Sequence, residues 1–234
     1  MNPLVIAIDS STTATKAIVV DTEGKVLALG RQDIDLLSPQ QGFGEHDPRQ
    51  WWTSTRDAVA QALAQLTPAE KERITAFGIT HQRESFAPFA ADGTPLRNGI
   101  LWLDIRAADQ VQRYGTPEIH ALSGRPADVT PGLYKMAWLK ENEPESLAKA
   151  DKVTTVSAYI AFCLTGKWVD SAACADSLSL SNIKTLEYDD GLLQIAGVRR
   201  EQMADLVKPG QTLGTLKKSV AEEWGIGEIP IVAG

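Results

Sequence analysis

Cysteine is nearly absent from this chain: Cys163 and Cys174 are the only two in 234 residues. They are too few for a disulfide framework and lack metal-ligand spacing, so both are expected as buried thiols. Histidine is equally sparse. His46, His81 and His120 are scattered without the spacing of a metal site, which leaves structural or solvated roles. Basic residues are outnumbered, 23 Lys and Arg against 30 Asp and Glu, and the net charge of −7 argues against nucleic acid or an anionic membrane as partner. No apolar run approaches the roughly twenty residues of a membrane span. Met1-Asn2-Pro3 leads into a strand with no charged leader, which points to the cytoplasm. Two nucleotide-binding signatures are missing as well. No Gly-x-Gly-x-x-Gly precedes a helix, and there is no Walker loop.

What remains is the composition of an ordinary folded enzyme domain, 43% apolar and 23% charged, enough for one large core or two small ones. There is no internal repeat and no low-complexity linker. The chain opens on an apolar strand, Leu4 to Ile8, that runs into Asp9 and the hydroxyl-rich Ser10-Ser11-Thr12-Thr13-Ala14-Thr15-Lys16, then a second strand, Ala17 to Val20. Asp21-Thr22-Glu23-Gly24 turns into a third segment, Lys25 to Gly30, with Gly24 supplying the positive φ of a tight turn. Two accounts fit the Asp9 turn. In one, its free backbone N–H groups and Lys16 receive phosphate oxygens while Asp9 holds Mg²⁺. In the other it is a Thr-rich hairpin with Asp9 capping a turn.

Further along, strands and helices alternate as in an α/β domain. A loop from Ser38 to Pro48 leads into a helix of about residues 49–66, with Asp47 as N-cap and Pro48 in its first turn. Trp52, Thr55, Val59 and Leu63 form its apolar stripe, flanked by Trp51, Ala58 and Ala62. A strand over Ile74–Thr80 ends at His81-Gln82-Arg83-Glu84, Phe86–Phe89 returns through Ala91-Asp92-Gly93-Thr94, and Ile100–Asp104 forms a strand meeting Arg106. Helices are expected near 105–114, 133–142, 156–165, 189–196 and 217–224, and the segment 229–234 as a final buried strand.

Three strand ends thus carry polar residues: Asp9, the 81–84 segment, and Trp102-Leu103-Asp104. Ligands of open α/β sheets gather beyond such ends. Arg83 and Glu84 offer donors and acceptors to hydroxyls and Trp102 a flat apolar face, a combination suited to a sugar or polyol. Equally, Arg83 and Glu84 could be a surface ion pair and Trp102 a core aromatic.

Six segments in order, Asp9-Ser-Ser-Thr-Thr with Lys16, Gly44-Glu-His-Asp-Pro48, Gly78-Ile-Thr-His-Gln-Arg-Glu84, Ile100-Leu-Trp-Leu-Asp-Ile-Arg106, Leu164-Thr-Gly-Lys167 and Ile229-Pro-Ile-Val-Ala-Gly234, resemble the FGGY carbohydrate kinase family, xylulokinases and glycerol kinases in particular. The resemblance implies an actin-like, ribonuclease-H-like α/β fold with a mixed central sheet and flanking helices. It makes residues 1–234 the N-terminal, sugar-binding domain and puts the nucleotide domain beyond this chain. It implies ATP and Mg²⁺ as cofactors, Asp9 as the metal-associated carboxylate, Lys16 as the basic position, and Ser11, Thr12 and Thr13 as phosphate contacts. Arg83, Glu84 and Trp102 resemble the substrate contacts of glycerol kinases, and Asp104 a position that xylulokinases also keep acidic.

Two residues and one four-residue segment depart from the pattern. Ser11 stands where the loop usually has Gly, Thr130 about where glycerol kinases place a Tyr, and Gln82-Arg83-Glu84-Ser85 where xylulokinases carry Gln-Met-His-Gly. The expected activity of the complete enzyme is ATP-dependent phosphorylation of a ketopentose such as xylulose, with glycerol as the alternative. The general-base aspartate is expected beyond Gly234, so this chain alone is expected to be inactive. Homo-oligomerisation is left open. Two rivals share the fold: an ATPase switch, which would not need Arg83, Glu84 and Trp102, and a noncatalytic sugar-binding module.

Overall fold

The computed structural model describes residues 2–234. Strands β1 (Leu4–Ser10), β2 (Ala14–Asp21) and β3 (Val26–Asp33) form an antiparallel meander. β1 and β2 run further than their apolar cores, because the polar Asp9, Ser10, Thr15 and Lys16 continue the ladder. Gly24 takes φ +83° in the connecting turn, where the Asp21 carboxylate accepts from the Glu23 and Lys25 backbone N–H groups. β4 (Glu45–His46) and helix α1 (Arg49–Leu63) follow. Here Pro48, in helical conformation, occupies the N-cap, one residue later than expected, and Asp47 accepts the Arg49 N–H from outside the helix. The buried face of α1 is also rotated from the expected stripe: Trp51 is fully enclosed and Trp52 only partly. Trp51 is fixed there because its indole N–H donates to His46 Nδ1 at 3.0 Å.

A short helix α2 (Pro68–Lys71) precedes β5 (Ile74–His81), and β6 (Phe86–Phe89) and β7 (Gly99–Ile100) follow. The strand expected over 100–104 stops at Ile100. Leu101 to Arg106 is an irregular loop, because the Asp104 carboxylate draws the chain inward by accepting the Gly44 N–H at 2.7 Å. The expected helices are present as α3 (Ala108–Tyr114), α5 (Gly132–Asn142), α7 (Val156–Thr165), α9 (Asp190–Ala196) and α10 (Lys218–Trp224), with α4 (Pro117–Ser123), α6 (Pro144–Ala148) and α8 (Ala172–Ala175) between them. The intervening strands β8 (Lys152–Thr155), β9 (Val169–Ser171), β10 (Ser181–Asn182), β11 (Glu187–Tyr188), β12 (Asp205–Val207) and β13 (Thr212–Thr215) are too short to show a period. The chain ends in β14 (Pro230–Val232).

The main sheet has six strands in the order β13-β14-β5-β1-β2-β3, with β5 parallel to both β1 and β14. A smaller sheet runs β4-β7-β6-β8. Along β1 burial alternates: Leu4, Ile6 and Ile8 enter the core shared with α1, α7 and α10, whereas Val5, Ala7 and Asp9 face the more open side. A second core joins β6 and β7 to α5 and α9.

Helix α1 sits so close to β3 that a Cβ on Gly30 would lie 1.9 Å from the Ala58 carbonyl oxygen. Backbone cannot yield as a side-chain tip can, so Gly30→Ala is expected to destabilise the protein by about 3 kcal/mol, read in a thermal or urea melt. An unchanged melt would mean that α1 slides off the sheet without cost.

Candidate active site

The parallel register of β1 and β5 sets Asp9 beside Thr80 and Ser10 beside His81, so the carboxyl ends of the two strands open at one place. A cleft of ≈ 320 Å³ lies there. Asp9, Ser11 and Thr12 line it from the β1–β2 turn, His81 to Glu84 from the end of β5, and Trp102 from the loop after β7.

A chain of hydrogen bonds ties these segments together. Ser11 Oγ donates to Asp9 Oδ2 at 2.7 Å, and Gln82 Nε2 donates to the Ser11 carbonyl at 3.3 Å. Ser85 Oγ donates to Gln82 Oε1 at 2.9 Å and accepts the Trp102 backbone N–H at 3.1 Å. The Trp102 indole N–H returns to Thr12 Oγ1 at 2.9 Å, which closes a ring between the hydroxyl-rich turn and the aromatic wall. Trp102 is 41% exposed, so it is not a core aromatic.

Arg83 and Glu84 do not pair with each other. Arg83 meets Asp176, and Glu84 meets Arg125. Glu84 sits at φ +61°, a left-handed conformation uncommon for a non-glycine residue, and its backbone N–H donates to Ser177 Oγ at 3.2 Å. Asp176 and Ser177, in a short 3₁₀ turn, thus hold the Arg83-Glu84 corner from behind. Nothing in the periodicity of the chain marked Asp176 or Arg125.

Asp104 is placed elsewhere. Its side chain is fully buried, bonded to the Gly44 N–H and to the Arg106 guanidinium at 2.8 and 2.9 Å, and it lines no part of the cleft. The structure does not bring Asp104 together with Arg83, Glu84 and Trp102 in the cleft lining, and its carboxylate is engaged by the scaffold. Arg106 also reaches Glu45 at 2.7 Å and lies over the Phe43 ring, 3.8 Å from its centroid. Thr13 and Lys16 are exposed and lie outside the lining of the cleft, Lys16 standing opposite Asp9 in the β1–β2 ladder.

Lys135 escaped the sequence reading. It is fully buried in α5, and its Nζ donates to the carbonyls of Thr130, Leu101 and Trp102 at 2.7, 2.8 and 3.1 Å. The available signal was a lone charge inside the apolar run Leu133-Tyr134-Lys135-Met136-Ala137. Cys163 and Cys174 are half-buried, and burial pushes their thiols up to about 12 and about 11.

The donor set suits Mg²⁺ carried in with a phosphate ligand. Asp9 supplies one half-buried carboxylate among hydroxyls, and Mg²⁺ characteristically keeps several waters and takes one or two carboxylates beside phosphate oxygens.

Comparison with known proteins places the fold. Residues 4–234 match the family model described as the FGGY family of carbohydrate kinases, N-terminal domain. A glycerol kinase of Thermococcus gammatolerans is 32% identical over 239 residues, covering 99% of this chain and 47% of its own. A xylulose kinase of Escherichia coli is 28% identical, covering 98% and 47%. Among solved structures, the ligand-bound xylulose kinase of Lactobacillus acidophilus superposes with a TM-score of 0.92 at 28% identity, over 99% of this chain and 48% of its own. The chain therefore spans about half the length of the curated relatives it matches, and its actin-like α/β fold with a mixed central sheet is theirs.

Burial holds the imidazoles of His46 and His81 neutral, with each pKa pushed down from 6.5 to about 4. An unfolded chain binds protons at both sites near the ordinary value, so between about pH 6.5 and 4 it carries more protons than the folded one. Stability is therefore expected to fall as the pH drops through that window. His46→Gln, which keeps an acceptor for the Trp51 indole, should show a shallower fall. Melting curves across the range check it, and equal slopes for both proteins would contradict it.

Proposed function

The chain belongs to the FGGY family of carbohydrate kinases, and on that premise we propose that it is the N-terminal, sugar-binding domain of a two-domain enzyme that phosphorylates a small sugar or polyol with ATP. One observation carries the reading: a hydroxyl-rich turn bearing Asp9 and a polyol-type cluster of Arg83, Glu84 and Trp102 share one cleft and one hydrogen-bond ring. Phosphoryl transfer requires that closeness, since its catalysis is mostly positioning and charge neutralisation.

The Arg83 guanidinium and the Glu84 carboxylate supply donors and acceptors in fixed directions, each held by a partner of opposite sign. Neither bond uses all the capacity of its group, so substrate hydroxyls can share them. Trp102 offers its exposed face to the C–H surface of the substrate. Ser11, Thr12 and the more exposed Thr13 are the proposed phosphate contacts, with Lys16 offsetting phosphate charge. Mg²⁺ bound with ATP would be held by Asp9 and would neutralise charge on the transferring phosphoryl group. In the reaction a primary hydroxyl oxygen bonds to the γ-phosphorus, the bond to the bridging oxygen breaks, and ADP leaves. The hydroxyl proton passes to the aspartate that the family carries after the strand matching β14. Closure of the second domain would exclude water as a competing acceptor.

A cleft of ≈ 320 Å³ admits glycerol or a ketopentose such as xylulose. The identity of Arg83, Glu84 and Trp102 favours glycerol, and the likeness to xylulose kinases favours the pentose. Calorimetric titration with each polyol distinguishes them, and binding of neither rejects the reading.

Glu84→Ala leaves substrate hydroxyls unpaired in a partly dehydrated cleft, with an expected loss of about 1–3 kcal/mol in polyol affinity. Calorimetry on the variant measures it, and unchanged affinity would remove Glu84 from the site. Asp9→Asn in the two-domain enzyme is expected to lower kcat by on the order of a hundredfold or more while leaving the sugar KM within a few-fold. Steady-state kinetics decide, and near-normal kcat would return Asp9 to turn-capping.

A further inference from the structure

A buried ammonium is costly unless every proton is used. At Lys135 every one is: three N–H groups meet three carbonyl oxygens and no carboxylate. The acceptors lie on two separate segments. Leu101 and Trp102 belong to the loop that brings the indole to the cleft. Thr130 belongs to the segment between α4 and α5 that also carries Arg125, the partner of Glu84. A methionine would fill the same apolar space without the cost of burying a charge. What the ammonium adds is a fixed separation between two otherwise irregular segments.

We propose that Lys135 is a positioning residue for the polyol cleft, its ammonium pinning the Trp102 loop to the Thr130 segment so that the indole stays on Thr12 and the Arg125–Glu84 corner keeps its place. This rests on the polyol reading above for its ligand, though not for its geometry. A neutral amine has two hydrogens and a lone pair, so on deprotonation at least one carbonyl loses its donor and the loop is released. Burial pushes the Lys135 ammonium down to about 7. The carboxylates of Asp104, Glu84 and Asp128 hold its proton on, and the Arg106 guanidinium opposes them. Of the charges on the neighbouring elements, Arg113 of α3 is engaged with Glu141, Asp190 of α9 with Arg200, Glu143 before α6 with Arg97, and Asp176 with Arg83, while Asp109 of α3 is exposed to solvent. The Trp102 wall is therefore set below neutral pH and loosened above it.

The test follows the Trp102 indole N–H resonance of this 234-residue chain, assigned by its loss in Trp102→Phe, from about pH 6 to about pH 9. His46 and His81 titrate near 4, outside that range. In the parent protein the resonance should move with a midpoint near 7. In Lys135→Met it should start displaced and stay flat. A parent resonance indifferent to pH, or a variant that follows the parent, overturns the proposal. If Lys135→Met does not fold, the parent titration alone decides. Glycerol added to the same samples gives the functional readout: affinity should fall at least tenfold in Lys135→Met, and in the parent as pH rises above neutrality. Failure of glycerol and xylulose to bind the parent at any pH would reject the polyol reading, while the indole titration still decides the role of Lys135.

Discussion

The parallel pairing of β1 with β5 is the constraint on which the site depends. Its register brings Asp9 level with Thr80 and Ser10 level with His81, and the Gln82 N–H extends the ladder by donating to the Ser10 carbonyl at 2.9 Å. Side chains alternate along a strand, so a slip of one residue would turn Asp9 into the core and Ile8 out of it. The burial of Leu4, Ile6 and Ile8 against α1 and α7 therefore fixes, at a distance, which way the carboxylate faces.

Beyond the strand ends the backbone is irregular, and side chains replace the sheet as its support. Arg106, Asp104, Glu45 and Arg97 form a buried ionic network that anchors the loop after β7 to β4. Removing one partner from such a network leaves an uncompensated buried charge, a loss of about 3–5 kcal/mol, whereas exposed pairs such as Arg31 with Asp33 contribute about 0–1 kcal/mol. Lys135 does the same for the next segment through neutral acceptors. The cleft is thus walled by loops whose order comes from buried charge.

The sheet itself is covered unevenly. One face carries α1, α7 and α10, while on the other Lys16 and Thr80 are exposed and Ala7, Asp9 and Ile18 only half-covered. Asp9 is on that open side, reachable by a charged ligand, while Ser10 and His81 turn inward.

Much was legible in the chain before its fold was known. The three-stranded opening, the helices beginning near 133, 156, 189 and 217, the Gly24 turn and the grouping of Asp9 with Arg83, Glu84 and Trp102 follow from periodicity, turn chemistry and motif order, all of them local properties. The tertiary structure decided what depends on contacts distant in sequence. It rotated α1 to seat Trp51 on His46, ended β7 at Ile100, buried the Asp104 carboxylate against Arg106, and matched Arg83 and Glu84 with Asp176 and Arg125. Periodicity reports which face of an element is apolar. It does not say which distant charge a carboxylate or an ammonium will meet, and that is settled only when desolvation makes each buried charge find a partner.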